Sequence, residues 1–70
     1  MIEYIVLFEK CENGKWQDRY DIYDELSPFL NRITELISDL KGELIRNIRP
    51  FRAEIMKDII EMKSLKISSY

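Results

Sequence analysis

Apolar residues come in two patterns along the chain, and each predicts a different element. Tyr4-Ile5-Val6-Leu7-Phe8 is an unbroken β-branched and aromatic run, which reads as a strand covered on both faces or nearly so. It leads into Glu12-Asn13-Gly14-Lys15. Asn-Gly is the strongest short hairpin signal, because a type I′ turn needs positive φ at both central residues. The return strand spans Trp16 to Tyr23. A two-residue loop fixes the register and sets Cys11 opposite Trp16, Leu7 opposite Tyr20 and Ile5 opposite Ile22. Alternation then gathers Ile5, Leu7, Cys11, Trp16, Tyr20 and Ile22 on one apolar face, read here as the core face. The other face carries Tyr4, Val6 and Phe8 beside Arg19, Asp21 and Tyr23. It is half apolar, which is unusual for a face left in water.

From Ser27 the period changes. Ser27 suits an N-cap and Pro28 the first helical position. Phe29, Leu30, Ile33, Leu36, Ile37 and Leu40 follow the i, i+3, i+4, i+7 template of an amphipathic helix, with Asn31, Arg32, Glu35, Ser38 and Asp39 opposite. Lys41-Gly42 has the form of a helix end. Yet Leu44, Ile45 and Ile48 continue the helical spacing, and a glycine inside a helix costs only about 1 kcal/mol. A lone two-stranded hairpin is a poor sheet, so a third strand over 43–48 is the alternative. Pro50 breaks or kinks either element and biases Arg49 away from helix. Beyond it, Phe51, Ile55, Ile59 and Met62 form the stripe expected of a second helix, widened by Met56 and Ile60. The tail from Ser64 has no strong period and is expected to fray. Apolar positions from Leu26 to Met62 recur in steps of three or four, which a helical hairpin with a coiled-coil-like seam would also produce.

The expected fold is therefore α+β. An N-terminal hairpin (2–10 and 16–23) packs on two amphipathic helices (27 to 41 or beyond, and 50 to 63), with a third short strand at 43–48 as the variant. The expected core is Ile5, Leu7, Trp16, Tyr20, Ile22, Phe29, Leu30, Ile33, Ile37, Leu40, Leu44, Ile48, Phe51, Ile55 and Ile59.

Composition narrows the function more than it names it. Seventy residues make one domain, 1–70, with a small core. The net charge of −2 is too mild to imply nucleic acid, a membrane surface or a basic partner. A single cysteine, Cys11, excludes an internal disulfide and points to a reducing, cytoplasmic setting. No run of about 20 apolar residues offers a membrane span. Eleven isoleucines against one alanine is the bias of AT-rich genomes, phage and mobile elements among them.

Candidate chemistry is sparse. Histidine is absent, which removes Cys-His and Ser-His-Asp arrangements and most transition-metal sites. Cys11, beside Lys10, reads as a packing residue. Asp18, Asp21, Asp24 and Glu25 are acid-rich, but Asp18 and Asp21 point to opposite faces of a strand and miss the calcium-loop order. With two glycines there is no phosphate-cradling loop. These points favour a non-enzymatic module without cofactor or metal, docking on another protein as an inhibitor or regulator. Its expected partner surface is Tyr4, Val6, Phe8, Arg19 and Tyr23, with Asp18 and Asp21, since aromatic and arginine residues are the usual anchors. The alternative is a dimeric nucleic-acid-binding regulator using Arg46, Arg49, Arg52 and Lys57. Small chains without disulfides or metal often gain stability by oligomerising, so a homodimer is expected.

Overall fold

The computed structural model describes residues 1–40 and 44–66. The chain forms β1 (Ile2–Glu12), β2 (Lys15–Tyr23), α1 (Leu26–Leu40), β3 (Ile45–Met56) and β4 (Ile59–Ser64). The strands make one antiparallel sheet in the order β2-β1-β3-β4. The α+β expectation of a hairpin on two helices is thus overturned: residues 50–63 are not helical but supply most of a second hairpin, and the alternative strand at 43–48 is the start of β3. The helical seam ends with α1. The expected stop at Lys41-Gly42, Glu43, the Leu40 side chain and the last residues of the tail lie outside the described residues.

The first hairpin forms as its turn chemistry dictates. Asn13 and Gly14 have φ of 52° and 76°. Cys11 pairs with Trp16, Leu7 with Tyr20 and Ile5 with Ile22. Its two faces have exchanged roles, however. α1 packs on the side that bears Tyr4, Val6 and Phe8, and these meet Phe29, Ile33 and Leu36 in the core. Tyr4 and Tyr23 flank the buried Phe29 ring at centroid distances of 5.3 and 6.4 Å. Of the expected core, Tyr20, Ile22, Trp16, Leu30, Leu44 and Ile59 are exposed instead.

α1 begins at Leu26, so Pro28 falls within the first turn, where an N–H has no helical acceptor in any case. Arg32 fastens the helix to β2. Its Nε donates to Asp21 Oδ2 at 2.8 Å, its guanidinium lies 5.6 Å from the Phe8 ring centre, and Nη1 reaches Glu35 at 3.1 Å.

β3 carries a β-bulge. Leu7 pairs with Arg49 but Glu9 with Arg46, so Asn47 and Ile48 together oppose Phe8. Asn47 takes the left-handed conformation, φ 55°, which asparagine tolerates better than most residues. The extra residue brings both Ile45 and Ile48 to the helix side, where both are buried. Pro50 sits next to the bulge at the point where the ladder to β4 ends. Its carbonyl accepts from Leu65 N–H at 2.9 Å, and the N–H it lacks would have faced past the last paired residue, Ser64. That bond, and the packing of Leu65 against the core, order the tail further than its sequence suggests.

Candidate functional site

The sheet has two faces, and among the described residues one helix, α1, covers one of them. The uncovered face is built by alternation from Ile5 and Leu7 of β1, Trp16, Tyr20 and Ile22 of β2, Phe51 and Ile55 of β3, and Ile60 and Met62 of β4. Tyr20 is 66% exposed, Ile60 65%, Met62 and Ile22 50% and Trp16 37%. Ala53, too small to rise above its cross-strand neighbours Glu3 and Met62, is buried there. Scattered exposed apolar residues are ordinary on any protein; a sheet face that gathers this many is not.

Charged residues occupy the end of this face nearest the first turn. Glu9 accepts from Asn47 Nδ2 at 3.0 Å and from Arg46 at 3.1 Å. The Asn47 hydrogen bond, and then Arg46, hold the Glu9 carboxyl below its ordinary value. Arg46 also lies over the Trp16 ring, 4.0 Å from its centre. The bulge at Asn47 thus positions both groups that hold Glu9, and it steers the guanidinium onto the indole. Beside this knot a shallow hollow is lined by Leu7, Glu9, Asp18, Arg19, Tyr20, Asn47 and Arg49. Arg49 Nε donates to the Asn47 carbonyl at 3.3 Å.

The residues singled out in the sequence are distributed otherwise. Tyr4, Val6, Phe8, Arg19, Asp21 and Tyr23 do share one side, but α1 lies on it. Val6 and Phe8 are buried, Tyr4 and Tyr23 are partly buried against the core, and Asp21 is paired with Arg32. Arg19 is exposed and donates to Glu12 and Gln17. Asp18 is on the opposite, open face. The basic set is dispersed as well. Arg46 and Arg49 are on the open face, Arg52 is on the helix side beside Glu54 at 3.7 Å, and Lys57 is in the β3–β4 turn. Sequence reasoning missed Phe51, Ile55, Ile60 and Met62 as members of a sheet face, because a helix had been expected there. The face itself was signalled by Trp16, Tyr20 and Ile22 at period two.

Among the described residues no group of three His, Cys, Asp or Glu is placed to hold a metal ion, and no helix is long and apolar enough to cross a membrane. No family model matches the chain, and no curated protein or solved structure is significantly similar to it.

Proposed function

We propose that the chain is a protein-binding module, acting as an inhibitor or regulator of a larger protein, and that it docks through the open face of the sheet. The observation that carries this reading is the set of Trp16, Tyr20, Ile22, Ile60 and Met62 exposed together on one uncovered face. Burying an exposed aromatic or aliphatic side chain against a partner contributes about 1.5–3 kcal/mol, enough for a few such anchors to hold a complex. Arg49 and Asp18 beside Tyr20 supply polar groups at the rim, where charges set orientation more than affinity.

The test compares the wild-type chain with Tyr20→Asp and Ile22→Asp as tagged baits in host lysate with and without nuclease. Both positions are exposed, so circular dichroism should be unchanged. A protein captured by the wild type should be lost from both variants, with a Kd for the purified pair at least about 100-fold weaker. Capture that survives both substitutions would refute the placement on this face, and capture abolished by nuclease would refute protein docking.

A further inference from the structure

β4 is an edge strand, and its outward pattern is complementary to itself. α1 contacts β1, β2 and β3, while all six residues of β4 are exposed. The hydrogen bond from Leu65 N–H to Pro50 fixes the phase of the strand: Leu65, and by alternation Lys63, Glu61 and Ile59, turn their backbone groups toward β3. The backbone N–H and C=O groups of Ile60, Met62 and Ser64 therefore point away from the sheet. Open edges of this kind template pairing with another strand.

Charge selects the partner. On the helix side, Glu61 lies directly across from Glu54 and Lys63 across from Arg52. Like charges directly opposite on a sheet are destabilising, and within one chain each of these two residues has its own sign beside it. We infer that β4 pairs antiparallel with β4 of a second copy about a two-fold axis at Met62. Met62 then exchanges hydrogen bonds with Met62 of the partner subunit, and Ile60 does so with Ser64 of the partner subunit. Glu61 comes opposite Lys63 of the partner subunit, and Lys63 opposite Glu61 of the partner subunit. These are non-hydrogen-bonded positions, where opposed side chains approach most closely. The neighbouring registers with the same backbone phase centre on Glu61 or on Lys63 and would set each against itself. Registers of the other phase would need backbone groups that β3 already holds. The dimer is a continuous sheet in which Ile60 and Met62 of the two copies meet on the open face.

Sedimentation equilibrium of the full chain tests this through charge exchange. The wild type should be dimeric at micromolar concentration. Glu61→Lys and Lys63→Glu should each raise the dissociation constant about tenfold. The double exchange E61K/K63E should restore it. Mixing the two single variants should yield a heterodimer tighter than either homodimer, because every facing pair is then of opposite sign. Both positions are solvent-exposed, and far-ultraviolet circular dichroism should confirm that each variant folds. A monomeric wild type, or a dimer indifferent to these exchanges, would overturn the proposal. Tyr20→Asp leaves this edge untouched, so failure here is distinguishable from failure of the docking face.

Discussion

Asn13, Asn47 and Lys57 are the non-glycine residues with positive φ among those described, and each sits where the chain must change course. Asparagine reaches this region at little cost, whereas a β-branched residue is strained there. Asn47→Val should therefore cost about 1–3 kcal/mol and remove one of the two groups that hold Glu9, seen as a lower urea midpoint. Gly14→Ala is a cleaner case: a Cβ there meets nothing within 4 Å, so its cost of about 1–2 kcal/mol would be purely conformational. At Lys57, φ 32°, the substitution effect has the opposite sign, and Lys57→Gly should stabilise the fold by up to about 1 kcal/mol, seen as a higher urea midpoint. Glu9 adds a pH dependence. Its carboxyl is depressed in the folded chain, so the stability it contributes is present above the unfolded value near 4.5 and lost as pH falls through the lower folded value. Urea midpoints between about pH 5 and 3 should fall, and Glu9→Gln should flatten that slope.

The elements differ in how plainly the sequence spells them. The register of the first hairpin was legible to the residue, because Asn-Gly leaves one turn type and one register, though the strands run closer to the turn than the expected 2–10 and 16–23. α1 was legible because Phe29, Ile33 and Leu36 fall on one side of a 3.6-residue period only. β3 and β4 were not. Phe51 and Ile55 are four apart, and four is both a full helical turn and an even strand step. The bulge also hides the alternation of β3, since Ile45 and Ile48 face the same way at a helical spacing. Local pattern chose the wrong face for α1, because the face of Ile5, Leu7, Tyr20 and Ile22 is the more apolar of the two, whereas the half-apolar face of Tyr4, Val6 and Phe8 is the one covered. The deciding contacts are long-range ones, those of Phe29 and Ile33 with Val6, Phe8, Ile45 and Ile48. The candidate site shared that fate: its aromatic half was visible at period two, and its β4 half was not. At this scale Arg32 is the test of how α1 is held. A double-mutant cycle of Arg32→Met with Asp21→Ala should give a coupling of about 0.5–1 kcal/mol, modest because both groups keep partial solvent contact.

For the whole molecule, a single core beneath one helix holds a sheet that extends beyond it. The Cα atoms span 41 × 24 × 17 Å, a slab of two layers. A domain of this length has about 4–10 kcal/mol of stability, so Phe29→Ala, at about 3–5 kcal/mol, should leave the chain close to unfolding. Native-state hydrogen exchange at low protein concentration should rank the strands by depth. Amides of β1 and β3 should open last, and the outward amides of Ile60, Met62, Tyr20 and Ile22 should exchange first.

The bulge at Asn47 also bears on how the chain can change in length. Struck from the sequence, Asn47 leaves Ile45-Arg46-Ile48-Arg49, a plain apolar-charged alternation with both isoleucines still toward the helix and both arginines still toward the open face. Asn47 thus behaves as a single inserted letter in an otherwise regular word. Its deletion should be tolerated, losing the Glu9 contact and some twist but no buried side chain. Deleting Arg49 instead, with the bulge absorbing the missing residue, would leave Ile45 and Arg46 in place but turn Ile48 to water and Asn47 to the core. Two deletions two residues apart should therefore have opposite fates, one a folded variant and the other an unfolded one.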